Sequence, residues 1–508
     1  GDFSQRDVNA YTPTEAKNLI QSTDTGHTYD VDFDGDKDEE SQEKTPEFVD
    51  GEILYAKTEG GISLFSANPD DELENLGISE PEKIYESTEK SDGKISLLSN
   101  TKKVWYKAKV SGDVQETVDK LKKVDGITEA EPNYIYHTSS EGLPEETERD
   151  FNWFMTNSLD KLGMSAFSGW NESYKRTNAA PGAGTVVAVI DTGVDYTHED
   201  LAPSMWTNSG EIPGNGIDDD GNGYIDDYYG IDATANPKYD GKIAGDPMDN
   251  NGHGTHVSGI IAMAKNGKGG AGIAYGAKIM AIKAGQSTGS LANSDIVTAI
   301  KYAVSMGADV INMSFGGTSQ SAILKEALED AFPNCVLVAA AGNDGLPTTD
   351  APPEFLKKED IYPAGYSFVL GVMATDQNGD LAAFSNWDYT KDANAEYELA
   401  APGQRVYSAL PGNRYAYWNG TSMAAPCVSA AAAVLRACYP DENEYNSRFI
   451  MGQLASATES KTTYIDKTGF SHNYSRLNLY DSITKLPKPH LSVTETFALD
   501  NTDLSDEN

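Results

Sequence analysis

The chain of 508 residues carries 79 acidic against 39 basic side chains, a formal net charge of −40. A surface field of that sign repels phosphate backbones and anionic lipid, so nucleic acid is disfavoured as a partner and cations are favoured. With 39% hydrophobic content the chain can bury at least one large core, and its three cysteines, Cys335, Cys427 and Cys438, are too few and odd in number for a disulfide framework.

Taken in chain order, Gly1 is followed by no charged n-region and no apolar h-region, so a chain already trimmed of any signal peptide is expected. Residues 1–46 are polar and acid-rich without useful periodicity and read as a flexible leader. From Phe48 the pattern changes. FVDGEILYAKT reads as a strand, PDDELENLGI as a short helix, KKVWYKAKV as a strand, DVQETVDKLKK as a helix with Val114, Val118 and Leu121 on one face, and ITEAEPNYIY as a closing strand. These make a small α+β unit over 47–140. SSEGLPEETERD has turn residues and acids but no apolar period, which puts a linker over 141–150.

Beyond the linker, TVVAVIDTG, AKIMAIKAG, ADVINMSFGG and CVLVAAAGN are short, almost unbroken apolar runs separated by helical segments. Strands of that kind are buried on both faces, so 151–486 is expected to be α/β, a predominantly parallel sheet with helices on both faces. The longest apolar run, Ala424–Leu435, falls short of the ~18 residues a membrane helix needs and reads as a buried helix. Cys427 and Cys438 share that helix about 16 Å apart, too far to bridge. Residues 487–508 lose periodicity and form an acidic tail.

Three segments bring groups suited to acyl transfer: VAVIDTGVDYTHEDL, DNNGHGTHVSGIIA and NGTSMAAPCVSAAAAV. Ser422 begins a strongly helical run where free amides point outward, a nucleophile's position. A serine hydroxyl needs a base, and His253 at a glycine-flanked helix start is the best placed of seven histidines. Asp191, ending its strand, can orient that imidazole. The order Asp, His, Ser, with DTGVD, HGTHVSG and GTSMAAP around them, resembles the subtilisin-like serine proteases from about Asn152 to Pro440.

The resemblance implies Asp191, His253 and Ser422 as a catalytic triad, with Asn343 of AAAGN as oxyanion donor beside the Ser422 amide. Asp195 and His256 become bystanders. Substrate is expected to add as a strand between Gly289-Ser290-Leu291 and Ser314-Phe315-Gly316, with Ala340, Ala341 and Gly342 walling the S1 pocket and Ile361 near its floor. Cys427 stands where many family members carry a histidine. The GKGGAG run, Gly267–Gly272, fits a dinucleotide-binding pattern but follows a helix and so lacks the required context.

For calcium, the resemblance points to Asp200 and Asn266 with the carbonyls of Ala264, Lys268 and Gly270. IDDDGNGYIDD is a second candidate, with Asp218, Asp220 and Asn222 at EF-hand-like spacing and Tyr224, Asp226 and Asp227 following, although Tyr229 replaces the closing Glu. Asp30, Asp32 and Asp34 repeat the spacing in the leader but read chiefly as a solvated run. The α+β unit resembles the family's ferredoxin-like propeptides, which implies an extracellular, monomeric, autoprocessing endopeptidase acting on proteins or peptides. Its own propeptide would be its inhibitor. Counting on from ITEAEPNYIY puts Ser139 at P1 and Tyr136 at P4, facing Asn293 and Ile296, with cleavage between Tyr136 and Glu141. A binding protein on a dead protease scaffold and a maturase for one precursor are the alternatives.

Overall fold

In a computed structural model, residues 46–59, 69–87, 102–138, 140–142, 153–156, 162–235, 246–389 and 396–485 are described. The expected leader up to residue 45, with Asp30, Asp32 and Asp34, the candidate P1 residue Ser139, most of the linker and the acidic tail lie outside these residues.

The front unit contains β1 (Phe48–Glu59), α1 (Pro69–Asn75), β2 (Ile78–Ser87), β3 (Lys102–Val110), α2 (Val114–Leu121) and β4 (Ile127–Thr138). Its strands form an antiparallel sheet in the order β4-β1-β3-β2. Helix α2 starts at Asp113, whose carboxylate accepts the Glu116 amide, and it buries the expected Val114, Val118 and Leu121. Strand β2 was not anticipated. Glu-Pro-Glu-Lys interrupts its alternation, and its pairing with β3 shifts register between Ser79 and Glu82.

Strand β1 shows why the front unit docks. Ile53, Leu54, Tyr55 and Ala56 are all fully buried, so both faces of the sheet are covered. Ile53 and Tyr55 pack with Val118 and Leu121 of the unit's own helix. Leu54 and Ala56, with Tyr85 and Trp105, belong to the core of the large domain.

That domain contains α3 (Ala166–Thr177), β6 (Val186–Asp191), β7 (Gly230–Asp232), α4 (His253–Ala262), β8 (Lys278–Lys283), β9 (Ser290–Ala292) and α5 (Asn293–Ser305). It continues with β10 (Val310–Met313), β11 (Phe315–Gly316), α6 (Ala322–Ala331), β12 (Val336–Ala340), β13 (Leu370–Thr375), β14 (Leu399–Pro402), β15 (Val406–Leu410) and β16 (Arg414–Asn419). It closes with α7 (Thr421–Cys438), α8 (Ser447–Ser456), β17 (Lys461–Ile465), β18 (Ser471–Arg476) and α9 (Leu479–Thr484). The nine-stranded sheet runs β17-β18-β14-β13-β12-β10-β6-β8-β7, parallel throughout except for the β17/β18 hairpin. Helix α7 is long and apolar enough to cross a membrane, yet 89% of it is buried inside the fold, against β10, β12 and β13. Strand order turns at β6, so the carboxyl ends of β6, β10 and β12 open into one crevice.

The short strand Glu141–Gly142, β5, pairs with Trp418 and Asn419 of β16, so the linker expected from residue 141 begins as a strand. Across the interface, Glu131 of β4 caps α6: its carboxylate accepts the Ser321 hydroxyl at 2.6 Å and the Ala322 amide at 2.9 Å. Asn133 does the same for α5, accepting the Ser294 amide at 3.1 Å. Trp105 Nε1 and Lys103 both donate to Glu326, and Tyr85 donates to Asp330.

Burial pushes the Glu131 carboxyl up from the ordinary glutamate value to about 7, against its hydrogen bonds. Burial penalises the ionised form, so the docked state holds this proton more tightly than an exposed glutamate does. Stability from this group is full below the ordinary value of 4.5 and is lost as pH rises through about 7. In the full chain, wild-type Glu131 is therefore expected to lose stability relative to Glu131→Gln between pH 5 and 8, by on the order of 3 kcal/mol. Thermal unfolding across that range checks it, and a difference between the two that stays flat with pH would refute it.

Candidate active site

Asp191 ends β6 and His253 begins α4. The Asp191 carboxylate accepts His253 Nδ1 at 2.8 Å and its neighbour's Thr192 amide at 2.7 Å, with both side chains almost fully buried. The close crossing depends on glycine: a Cβ at Gly254 would stand 2.1 Å from the Gly193 carbonyl oxygen. With Nδ1 committed to Asp191, Nε2 is the nitrogen left for chemistry, and among the described residues it has no hydrogen-bond partner.

His256 lies one helical turn on and is held apart. Its ring stacks on Trp418 at 4.7 Å, its Nε2 donates to the Ala416 carbonyl, and burial lowers its pKa to about 3, which keeps it neutral. Asp195 spends its carboxylate on Thr197 and the Gly412 amide. Their bonds lie apart from the Asp191–His253 contact.

Ser422 is the second residue of α7, which packs against α4. Gly420 ahead of it, at φ 155°, turns the chain sharply out of β16 into the helix. The Ser422 hydroxyl donates to the Ser314 carbonyl at 2.9 Å, so the nucleophile candidate is turned toward β11 and not toward the imidazole. Asn343 follows β12, and its Oδ1 accepts the Thr421 amide and hydroxyl, both at 2.8 Å. These two bonds tie the Asn343 side chain to Thr421, the residue before Ser422. Cys427 is buried in α7, its thiol pushed up by desolvation, and takes no part in these contacts.

The crevice holds the chain's own β4. Tyr136 pairs with Leu291 and His137 with Ser290 on one side, while His137 pairs with Gly316 and Thr138 with Phe315 on the other. The Thr138 amide donates to the Gly289 carbonyl at 2.9 Å. Both rails expected for substrate are thus strand edges. Tyr136 is fully buried, stacked edge-on to Phe315, and its hydroxyl donates to the Ser319 carbonyl. Beyond residue 140 the chain pairs with β16, so strand contacts lie on both sides of Ser422. Ile361 fills the space between the two backbones of the expected S1 pocket: a Cβ at Gly316 would meet its Cγ2 at 2.3 Å and one at Gly342 its Cγ1 at 2.9 Å. Ala340 and Ala341 are buried beside it.

The first calcium candidate brings Asp200 and Asn266 together, with Asn266 Nδ2 2.6 Å from Asp200 Oδ1. Sequence reasoning missed Tyr415, whose hydroxyl donates to the second Asp200 oxygen. Lys268 gives its amide to Asn266 and its ammonium to Glu199, and Ala264 gives its amide to the Asp200 carbonyl. For this cage to fit a cation, Asn266 has to present its oxygen in place of its nitrogen, so only the clustering of Asp200 and Asn266 fits as it stands.

The second candidate differs from expectation in its members. The carboxylates that converge within 4.8 Å belong to Glu211, Asp218 and Asp220, and such a set of hard oxygens fits a calcium ion. Glu211 lies outside the spacing motif, so only the fold reveals it. Asp226 instead accepts the Asn215 and Gly216 amides, and Asp227 is buried under Asn208, Asn222 and the Tyr302 hydroxyl. Asn222 gives its amide to Asp220 and Asp227, and Tyr224 packs edge-on to Tyr302. Of the expected acids, Asp226 and Asp227 are not in the converging set.

Residues 182–476 match the subtilase family. The thermophilic serine proteinase of Bacillus sp. (strain AK1) is 34% identical over 385 residues, 73% of this chain and 77% of that protein. Subtilisin E of Bacillus subtilis (strain 168) is 30% identical over 352 residues, 69% of this chain and 74% of that protein. Among solved structures, fervidolysin from Fervidobacterium pennivorans, a keratinolytic enzyme related to subtilisin, aligns with TM-score 0.60 at 23% identity. The alignment covers 88% of this chain and 63% of fervidolysin, a likeness of fold.

An ion held by Glu211, Asp218 and Asp220 binds the folded state preferentially, so added calcium is expected to raise the melting temperature and EDTA to lower it. Asp218→Asn with Glu211→Gln should shrink the calcium-dependent shift by more than half. Melting curves that respond equally in parent and double variant would remove the ion from this loop.

Proposed function

The chain belongs to the subtilase family of serine proteinases, and on that premise we propose that it is an extracellular, monomeric, calcium-stabilised endopeptidase made as a self-cleaving zymogen. The observation that carries this reading is the pairing of the chain's own β4 along both crevice rails, up to Phe315, whose neighbour Ser314 accepts the Ser422 hydroxyl. An edge-paired strand is how a protease holds its substrate, and the front unit delivers one as an inhibitor.

In the proposed reaction the Ser422 hydroxyl leaves the Ser314 carbonyl and gives its proton to His253 Nε2 as its oxygen attacks the scissile carbonyl. Asp191, already bonded to Nδ1, keeps the right tautomer and stabilises the imidazolium. The oxyanion forms at the amino end of α7, whose dipole favours negative charge, with the Ser422 amide and the Asn343 side-chain amide as its donors in this reading. The imidazolium then protonates the leaving amine, and water resolves the acyl-enzyme.

With Tyr136 anchored as P4, the scissile bond follows Ser139, and the small P1 side chain agrees with a pocket floored by Ile361. The preferred substrates are proteins and peptides with small or medium uncharged P1 residues, since overfilling a packed pocket costs about 1 to 3 kcal/mol.

Ser422→Ala should leave a folded, uncut chain, while wild type yields a new terminus between His137 and Glu141. Amino-terminal sequencing checks this, and a self-cut alanine variant would refute the nucleophile. Replacing the pocket floor, Ile361→Gly, should raise kcat/KM for Phe and Tyr at P1 by at least tenfold, read from a peptide series. An unchanged P1 profile would overturn the floor assignment.

A further inference from the structure

His253 and Asp191 sit on different elements, so their 2.8 Å contact depends on whatever fixes the end of β6 against the start of α4. Asp249 lies at that junction, 5% exposed, with both carboxylate oxygens committed. Oδ1 accepts the Thr192 hydroxyl at 3.0 Å and the Asn251 and Gly252 amides, both at 2.9 Å. Oδ2 accepts the Thr255 amide at 3.0 Å and the Thr255 hydroxyl at 2.6 Å.

Each threonine carries the link onward. The Thr192 hydroxyl accepts the Gly254 amide at 3.0 Å, and the Thr255 hydroxyl accepts the Asp195 amide at 3.0 Å. The strand end, 191–195, and the helix start, 251–255, are therefore stitched together through one carboxylate, at residues adjoining Asp191 and His253. Lys283 steadies the same loop from β8, donating to the Met248 carbonyl and to Asn250 Oδ1.

We propose that Asp249 is a positioning residue for the proteolytic reaction: it holds His253 in register with Asp191 by clamping the end of β6 to the first turn of α4. An ionised carboxylate is required, because five donors converge on it and each oxygen must only accept. An asparagine would turn its NH2 group onto one set of those donors. The charge is stabilised by the free amides of the α4 amino terminus, so no cation is needed to neutralise it. The proposal rests on the peptidase reading above. Misplacing a catalytic group by about 1 Å can cost on the order of 100-fold in rate.

The test uses the full chain, with active molecules counted by fluorophosphonate labelling of Ser422. That labelling in wild type reports the peptidase reading by itself. Rates of peptide hydrolysis per labelled molecule then report Asp249. Asp249→Asn is expected to lower kcat about 10- to 100-fold with KM within twofold. Thr192→Val, which keeps the other four bonds to Asp249, should lower kcat about tenfold. Thr192→Ser should recover most of that loss, and the Asp249→Asn/Thr192→Val pair should be no slower than Asp249→Asn alone. A merely structural role would reduce the number of labelled molecules and the melting temperature while the survivors keep kcat within twofold, which would overturn the proposal. So would a Thr192→Ser variant as slow as Thr192→Val, or losses that multiply in the pair. Should Asp249→Asn fail to fold, the Thr192 variants decide by themselves.

Discussion

The structure turns on one strand that needs two partners along its length. Buried backbone amides and carbonyls must be paired, and β4 meets that requirement first against β1, as far as Tyr134, and then, from Ile135 on, against β9 and β11. The front unit and the large domain therefore share a continuous sheet. Docking buries the second face of the front sheet, and Leu54, Ala56 and Trp105 become core residues of the whole molecule. The same pairing lays the chain along the crevice, next to the Ser314 carbonyl that accepts the Ser422 hydroxyl.

A second theme is how so acidic a chain keeps carboxylates inside. Asp191, Asp195, Asp227 and Asp249 are each at most 5% exposed. The partners described for them are backbone amides, hydroxyls, side-chain amides and one imidazole. Several neutral donors replace hydration without the entropy of holding a long basic side chain, and they point in fixed directions. The same economy holds at the end of β6: Asp191 is oriented by what it accepts, and Asp249 bonds the residues next to Asp191 and His253. In Asp227 and in Glu131 the balance tips, because burial outweighs their hydrogen bonds and lifts the pKa of each.

Much of the fold was legible because its signals are local. Unbroken apolar runs announced β6, β8, β10 and β12, and the 3.6-residue period announced α2. The three motifs around Asp191, His253 and Ser422 are sharp because each needs a special backbone, the crossing at Gly254 and the turn at Gly420, so residue type is tightly constrained there. Strand β2 was missed because its inward residues are interrupted by Pro81 and charges, and its burial comes from a neighbouring domain. In the acidic insertion the spacing pointed to Asp226 and Asp227, whereas the fold turns both away and brings Glu211 in.

By itself, then, the sequence determined the elements that local periodicity encodes, the α/β class with its small front unit, and the Asp191–His253 pair that the fold brings together. Tertiary structure alone decided which oxygen met which donor. Glu131 on α6, Asp249 on Thr192 and Thr255 and Tyr415 on Asp200 all join residues on separate elements, most of them far apart in sequence. Such contacts are made by the packing of whole elements, and side-chain chemistry read along the chain carries no record of the neighbour that packing supplies.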